Sequence, residues 1–206
     1  MSDHKSPFYV IEDFLSPLTC ELIVDNCNFF VPDKDKDGFN IKTLKSNEES
    51  ESIVYERLRN QIIPIIQDYY DCKYKGTESI TFEWYPIGSN SAPVSGNSTN
   101  IKGKWVRTNT RDFTGVIFLS DYQDQPPIDG EFEVYGGKLE FVQHQFGFNP
   151  KRGTLVIFPS DPHFLNNTSS VMVGNLFQVR FHISAQQPWI YRPQQFPGNY
   201  TLWFNQ

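Results

Sequence analysis

The chain has 206 residues, with 24 acidic and 18 basic side chains and a formal net charge of −6 at pH 7. A hydrophobic fraction of 38% and an aromatic fraction of 16% suffice for one domain with a sizeable core, which excludes wholesale disorder. The acidic balance argues against a general nucleic-acid binder or a protein of anionic membrane surfaces, and no apolar run is long enough to span a membrane. The best candidate for a basic patch is segment 102–107, which we interpret as a solvated loop.

The cysteines indicate a reducing environment. Cys20, Cys27 and Cys72 form an odd set without metal-ligand spacing, and we interpret them as buried thiols. The first residues lack the apolar core of a secretion signal. We therefore expect a soluble protein in the cytoplasm.

The first part of the chain, residues 1–78, has helical character. Residues 7–15 look like an opening strand, and Ser16 followed by Pro17 predicts a helix from Pro17 to about Cys27. Helical spacing of apolar residues over 52–70 predicts a second helix, which Pro64 should kink or restart.

From Ile80 onward the apolar pattern alternates with a period of two, which is typical of strands. The sequence predicts a single α+β domain over residues 1–206, in which N-terminal helices pack on one sheet of an antiparallel jelly roll (a double-stranded β-helix) formed by residues 79–185. The aromatic and proline-rich tail, residues 186–206, should pack on the outside of this barrel. The predicted strands lie near 79–86, 112–119, 131–142, 153–158 and 171–184.

One acidic segment is a candidate calcium-binding loop. Residues 33–38 (DKDKDG) match the opening of an EF-hand loop, but such a loop needs a glutamate at its twelfth position, where this chain has Leu44. We therefore favour a solvated acidic loop over a calcium module.

Five segments in this order and at this spacing resemble the iron(II)/2-oxoglutarate-dependent dioxygenases, specifically the prolyl 4-hydroxylase-like branch. The resemblance covers most of the chain and implies Fe(II) and 2-oxoglutarate as cofactors. It is carried by residues 8–23, 83–88 (EWYPIG), 111–121 (RDFTGVIFLSD), 136–141 (GGKLEF) and 150–158 with His163.

In that family two histidines and a carboxylate hold the iron, and the first two ligands come as a His-x-Asp pair. The family's spacing places this pair on Val94 and Gly96, whose side chains cannot bind a metal. No shift of the alignment restores the pair, because no His, Asp, Glu or Cys occurs between Pro86 and Arg111. The missing pair argues against binding of either cofactor.

The remaining metal candidates are few. His163 is the best of them, although a lone histidine at a strand end is more often structural, and Asp161 and Asp112 are weaker partners. His144 and His182 lie inside predicted strands among aromatic residues, where core or surface roles are expected.

The resemblance also implies a basic residue that anchors the far carboxylate of 2-oxoglutarate, and the expected position falls on Leu176. Arg180 lies four residues further on the same face of the strand, as an anion anchor or as part of a structural ion pair. Tyr85 and Thr114 complete the candidate cofactor-binding residues.

We weigh two functions. The first is a degenerate member, or pseudoenzyme, that keeps the barrel for binding or assembly, with residues 88–103 as a surface or recognition loop. The alternative is an active oxygenase that hydroxylates a peptide, an amino acid or a nucleotide at an unusual metal site. The partner is an unidentified protein or small molecule, or a second copy of the chain. Similar domains occur in bacteriophage genomes, so the resemblance allows a virion role.

Overall fold

The computed structural model describes residues 6–28, 41–127 and 132–191. Its helical part contains three α-helices and one π-helical turn, α1 (Pro17–Asn28), α2 (Glu48–Arg57), the π-turn (Leu58–Ile62) and α3 (Ile63–Tyr69).

The helix starts follow from local capping. Oγ of Ser16 accepts a hydrogen bond from the backbone N–H of Thr19 at 3.1 Å, so the predicted start of α1 is confirmed. Oδ1 of Asn47 caps α2 in the same way, accepting from the N–H of Ser50 at 2.8 Å. Three glutamates in the first turn add favourable charge, and α2 therefore begins four residues before the predicted start at residue 52.

The predicted break at Pro64 is confirmed, and it takes the form of a π-turn. Pro64 lies in the first turn of α3, and its missing N–H falls where the hydrogen-bond pattern changes from the π-turn to the α-helix. The wider turn over Leu58–Ile62 precedes it and joins α2 to α3 without a loop.

The rest of the described chain is mostly strand. The strands are β1 (Tyr9–Ile11), β2 (Lys42–Leu44), β3 (Tyr74–Thr77), β4 (Thr81–Tyr85), β5 (Ser98–Ile101), β6 (Lys104–Arg107), β7 (Phe113–Phe118), β8 (Asp121–Tyr122), β9 (Glu133–Gly136), β10 (Leu139–Phe141), β11 (Phe146–Phe148), β12 (Leu155–Pro159), β13 (Asn166–Thr168), β14 (Val171–Gly174) and β15 (Leu176–Ala185).

The strands form one large antiparallel sheet and three small sheets. The large sheet has the order β1-β12-β7-β15-β4-β2, and β3 pairs with the far part of β15. The small sheets are β11-β10-β13, β14-β9-β8 and the hairpin β5-β6.

Each long strand of the large sheet contributes to two cores. On one face Val179, Phe181 and Ile183 of β15 join a cluster that includes Cys20 and Ile23 of α1. The opposite face belongs to a second cluster, which contains side chains of β7 and β12 together with side chains of the small sheets. We call this second region the inter-sheet core. Its buried aromatic members are Phe8, Tyr85, Phe118, Phe141, Phe158 and Phe164.

Several predicted strands need correction. The prediction of one strand over 131–142 is wrong, because β9 and β10 are separated at Gly136 and Gly137, which both have positive φ. Residues 171–184 likewise form two strands, which part at Gly174. The predicted loop over 88–103 contains β5, and β5 and β6 join in a tight turn at Lys102 and Gly103.

Some predictions fall outside the described residues, namely the acidic loop 33–38 and the tail beyond Tyr191. Leu44, the twelfth position of the calcium motif, is buried in β2. In the part of the chain that the structure describes, no helix combines the length and apolar character needed to cross a membrane.

Candidate functional site

The two residues at the predicted positions of the metal pair lie at the edge of the inter-sheet core. Val94 forms an isolated antiparallel bridge with Asn166 of β13, with N–H to carbonyl distances of 2.9 and 3.1 Å. The side chain of Val94 is half exposed, whereas that of Asn166 is buried. The residue directly across from Val94 thus has an amide side chain, whose Nδ2 donates to the carbonyl of Phe164 at 3.2 Å.

Gly96 is pressed against two hydroxyl side chains. A β-carbon built on Gly96 would lie 2.8 Å from Oγ of Ser160 and 2.9 Å from Oγ1 of Thr114. These hydroxyls bond to each other at 2.7 Å, and Thr114 also bonds Nδ1 of His182 at 3.1 Å. The buried side chains of Ser160 and Thr114 thus fill the space beside Gly96, and their hydrogen bonds continue to His182.

His182 is held in its neutral form. Burial lowers its pKa to about 3, and the positive charges of Arg111 and Arg180 lower it further in the same direction. The neutral imidazole ring of His182 is therefore a fixed hydrogen-bond partner for the hydroxyl of Thr114.

His163, the best metal candidate from the sequence, is exposed. It lies in a short 3-10 turn after β12, and its ring stacks on Tyr191 with the centroids 4.6 Å apart. The ring of His144 lies edge-on to it at 4.9 Å. Oδ1 of Asp161 accepts the backbone N–H of His163 at 2.8 Å, and burial raises the pKa of Asp161.

Asp112 has a structural environment. Its Oδ1 accepts from Nη2 of Arg107 and from the backbone N–H of Trp189, both at 2.8 Å, and its Oδ2 accepts from the N–H of Ala185 at 2.8 Å. With both oxygens engaged, this carboxylate ties the base of the β5–β6 hairpin to the end of β15.

Arg180 and Tyr85 are brought together by a residue that the sequence did not single out, Glu83. Oε2 of Glu83 accepts from Nε2 of Gln178 at 2.6 Å, from the hydroxyl of Tyr85 at 3.3 Å and from Nε of Arg180 at 3.4 Å. Nη1 of Arg180 also donates to Oδ1 of Asn166 at 3.4 Å. We call these five side chains the Glu83 cluster.

The cluster is buried and its charges are paired. Burial alone would lower the pKa of Arg180, but Glu83 and Tyr85 outweigh it and hold the pKa above its ordinary value. Burial and the charge of Glu83 raise the pKa of Tyr85 to about 12, so its hydroxyl stays protonated and can donate.

No family model and no curated protein sequence matches the chain. Solved structures do. A viral collagen prolyl hydroxylase from Paramecium bursaria Chlorella virus-1, in complex with 2-oxoglutarate, matches with a TM-score of 0.62 and 14% identity, over 91% of this chain and 100% of its own. A prolyl 4-hydroxylase of Pseudomonas putida matches with a TM-score of 0.63 and 15% identity, over 89% and 95%.

A prolyl hydroxylase of Trichoplax adhaerens, bound to a peptide of hypoxia inducible factor, matches with a TM-score of 0.66 and 13% identity, over 87% of this chain and 84% of its own. The chain has the prolyl 4-hydroxylase-like fold. This agrees with the resemblance read from the sequence and with the mostly β architecture described above.

The residues of this prolyl 4-hydroxylase-like chain do not fit an iron centre. The side chains of Val94 and Gly96 offer no atom that could bind a metal. Ser160 and Thr114 leave no room for a carboxylate at position 96. Across residues 6–28, 41–127 and 132–191, no three His, Cys, Asp or Glu side chains are grouped so that they could hold a metal ion. His163 as a ligand, with Asp161 and Asp112, therefore stays a prediction without support from the geometry.

The residues predicted to bind 2-oxoglutarate fit it no better than the residues above fit iron. Arg180, predicted as an anion anchor or as part of an ion pair, faces the carboxylate of Glu83. Thr114 hydrogen-bonds to Ser160 and His182 instead and is not part of the Glu83 cluster.

The sequence contained a signal for the Glu83 cluster. Glu83 and Tyr85 alternate along β4, and Gln178, Arg180 and His182 alternate along β15. Polar side chains at every second position of two strands with otherwise apolar neighbours indicate a buried polar face. The register that pairs Glu83 with Gln178 is set by the sheet, and only the structure reveals it.

Proposed function

We propose that this protein is a non-catalytic member of the prolyl 4-hydroxylase-like fold, which keeps the barrel for binding or assembly. The observation that carries the proposal is the packing at the predicted metal pair. Gly96 closes on Ser160 and Thr114, and Val94 bridges to an asparagine.

The expected affinity for Fe(II) supports the same proposal. Each ligand lost from a metal site normally costs orders of magnitude in affinity, and the exposed imidazole of His163, even with the ring of His144 beside it, competes poorly with water for Fe(II). The alternative, an active oxygenase with an unusual metal site, would need partners for His163. Asp161, a carboxylate two residues before it, already caps the turn that carries His163.

The β5–β6 hairpin is our candidate for the binding element. Its strands pair with each other over four residue pairs, and in the described chain neither strand joins another sheet. Ile101, Trp105 and Val106 are exposed on it, close to Lys102 and Lys104. Exposed aromatic and aliphatic side chains flanked by positive charge suit a partner surface that is apolar and acidic. We propose a second copy of this chain, whose net charge is −6, as that partner.

The catalytic question is tested by metal analysis of anaerobically purified protein and by calorimetric titration with Mn(II), as a stable substitute for Fe(II), and then with 2-oxoglutarate. We expect no saturable binding at micromolar concentration in the wild type. Micromolar binding that disappears in His163→Ala would contradict the proposal and revive the enzyme.

Self-assembly is tested by analytical ultracentrifugation of the wild type and of Trp105→Ala. We expect the wild type to associate, and we expect added salt and the substitution each to weaken that association. Met172→Ala is the matched control, because Met172 is also an exposed apolar residue but lies on β14. A wild type that remains monomeric at all concentrations would rule out assembly through the hairpin.

A further inference from the structure

The Glu83 cluster shows how a carboxylate is recognised inside this protein. Glu83 and Gln178 are direct partners across β4 and β15, and Arg180 lies two residues further along β15. One oxygen of Glu83 therefore receives a guanidinium, an amide and a phenol donor at 2.6–3.4 Å. The oxygen thus has a close amide donor and, at longer range, a phenol and a charged guanidinium, which together favour a carboxylate there.

The charges in this place depend on each other. The side chains of Glu83 and Arg180 are each only 14% exposed, so either charge alone would be poorly solvated. Arg180 is also fixed from the opposite side, because its Nη1 donates to Asn166 of β13. The guanidinium would therefore keep its position if Glu83 were shortened.

We propose that Glu83 is a built-in carboxylate that occupies Arg180, and that the same donors form a binding site for the carboxylate group of a small acid once Glu83 is removed. The inference rests on the proposed function, since it explains how the fold can dispense with a bound acid. Because Glu83 is part of the chain, its effective concentration at Arg180 far exceeds that of a free acid, and the wild-type site stays closed to one.

The test is thermal unfolding of Glu83→Ala with and without millimolar succinate or 2-oxoglutarate, in the absence of metal. Without ligand, the unpaired guanidinium should lower Tm by about 5–10 °C relative to the wild type. Either dicarboxylate should raise the Tm of the variant by about 3 °C. Succinamide, a neutral analogue, and sodium chloride of equal ionic strength should not.

Two variants serve as controls. Glu83→Ala combined with Arg180→Met removes the anchor and should abolish the response to succinate. Glu78→Ala breaks the ion pair with Arg111, whose side chain is 31% exposed, and should show no specific response because water already solvates that arginine. If Glu83→Ala does not fold, Glu83→Ser also vacates the space beside Arg180 while keeping a small polar side chain, and we expect the same response.

The outcomes separate this inference from the proposed function. The inference alone is overturned if dicarboxylates leave the Tm of Glu83→Ala unchanged, or if the wild type binds them at Arg180 without metal. Binding of 2-oxoglutarate to the wild type that requires Mn(II) and His163 instead overturns the non-catalytic proposal.

Discussion

A β-carbon on Gly96 would lie 2.8 Å from both Cβ and Oγ of Ser160, closer than the β-carbons of folded proteins come to non-bonded heavy atoms. Position 96 is where the resemblance places a metal-binding carboxylate. In this chain it accommodates a glycine because the serine and Thr114 fill the volume that a side chain would need. A metal site therefore cannot be restored there by a single substitution.

We predict that Gly96→Ala lowers the free energy of unfolding by about 1–3 kcal/mol, because the added methyl group overpacks a buried contact. Urea denaturation measures the change. Gly76→Ala is the matched control, since no atom lies within 4 Å of a β-carbon built there. A Gly96→Ala variant as stable as Gly76→Ala would show that the loop moves away freely.

A second prediction concerns Asp112, whose carboxylate accepts three hydrogen bonds at 2.8 Å. Asp112→Asn keeps the shape but replaces one acceptor by a donor, which leaves at least one backbone N–H unpaired. We expect a loss of about 2–3 kcal/mol in the free energy of unfolding and faster hydrogen exchange at Ala185 and Trp189. Asp124→Asn, at an exposed position, should change neither quantity.

The third prediction is a pH dependence from His182. Its pKa is about 3 in the folded protein, against about 6.5 in an unfolded chain. Between these values the unfolded state binds one more proton, so stability is complete above pH 6.5 and falls as the pH decreases towards 3. The contribution is no more than about 5 kcal/mol, because one pKa unit corresponds to about 1.4 kcal/mol.

The measurement is urea denaturation of the wild type and of His182→Asn at several pH values. Acidic side chains titrate in both proteins, so the difference between the two slopes isolates His182. We expect the slope between pH 6.5 and 5 to be smaller in the variant. Equal slopes, or an imidazole that protonates near pH 6 by NMR, would refute the assignment.

The fourth prediction concerns the cysteines. Burial is the largest cause that raises the pKa of Cys20, Cys27 and Cys72 to about 12 each. At pH 8 the folded protein should therefore react with a thiol reagent on the order of 1000-fold more slowly than a free cysteine does. All three should react at the ordinary rate in urea. A thiol that reacts quickly in the native protein would show local opening around that residue.

The sequence predicted the long buried strands best. β7 and β12 lie within one or two residues of their predicted bounds, because each contains an uninterrupted apolar run, residues 116–119 in and after β7 and residues 155–158 in β12. β2 and β3 were not predicted. Each is a short strand at the margin of the large sheet, and its partner in the sheet, β4 or β15, fixes its conformation more than its own composition does.

The candidate site was predicted only in part. The absence of donors at Val94 and Gly96 could be read directly from the sequence. The ion pair of Arg180 could not, because its partner Glu83 lies 97 residues away and meets it only through the register of β4 and β15. His163 stays an untested metal candidate, and the sequence did not reveal that the turn after β12 exposes its ring and stacks it on Tyr191.

The β5–β6 hairpin leaves the domain through a narrow neck, where the carbonyl of Asn97 accepts the N–H groups of Thr108 and Asn109 at 2.8 and 3.0 Å. Because the arms beyond this neck share no sheet with the rest of the described domain, natural variation can lengthen, shorten or exchange them while the scaffold stays unchanged. Related chains should therefore diverge fastest in this appendage, and grafted peptides should be tolerated there.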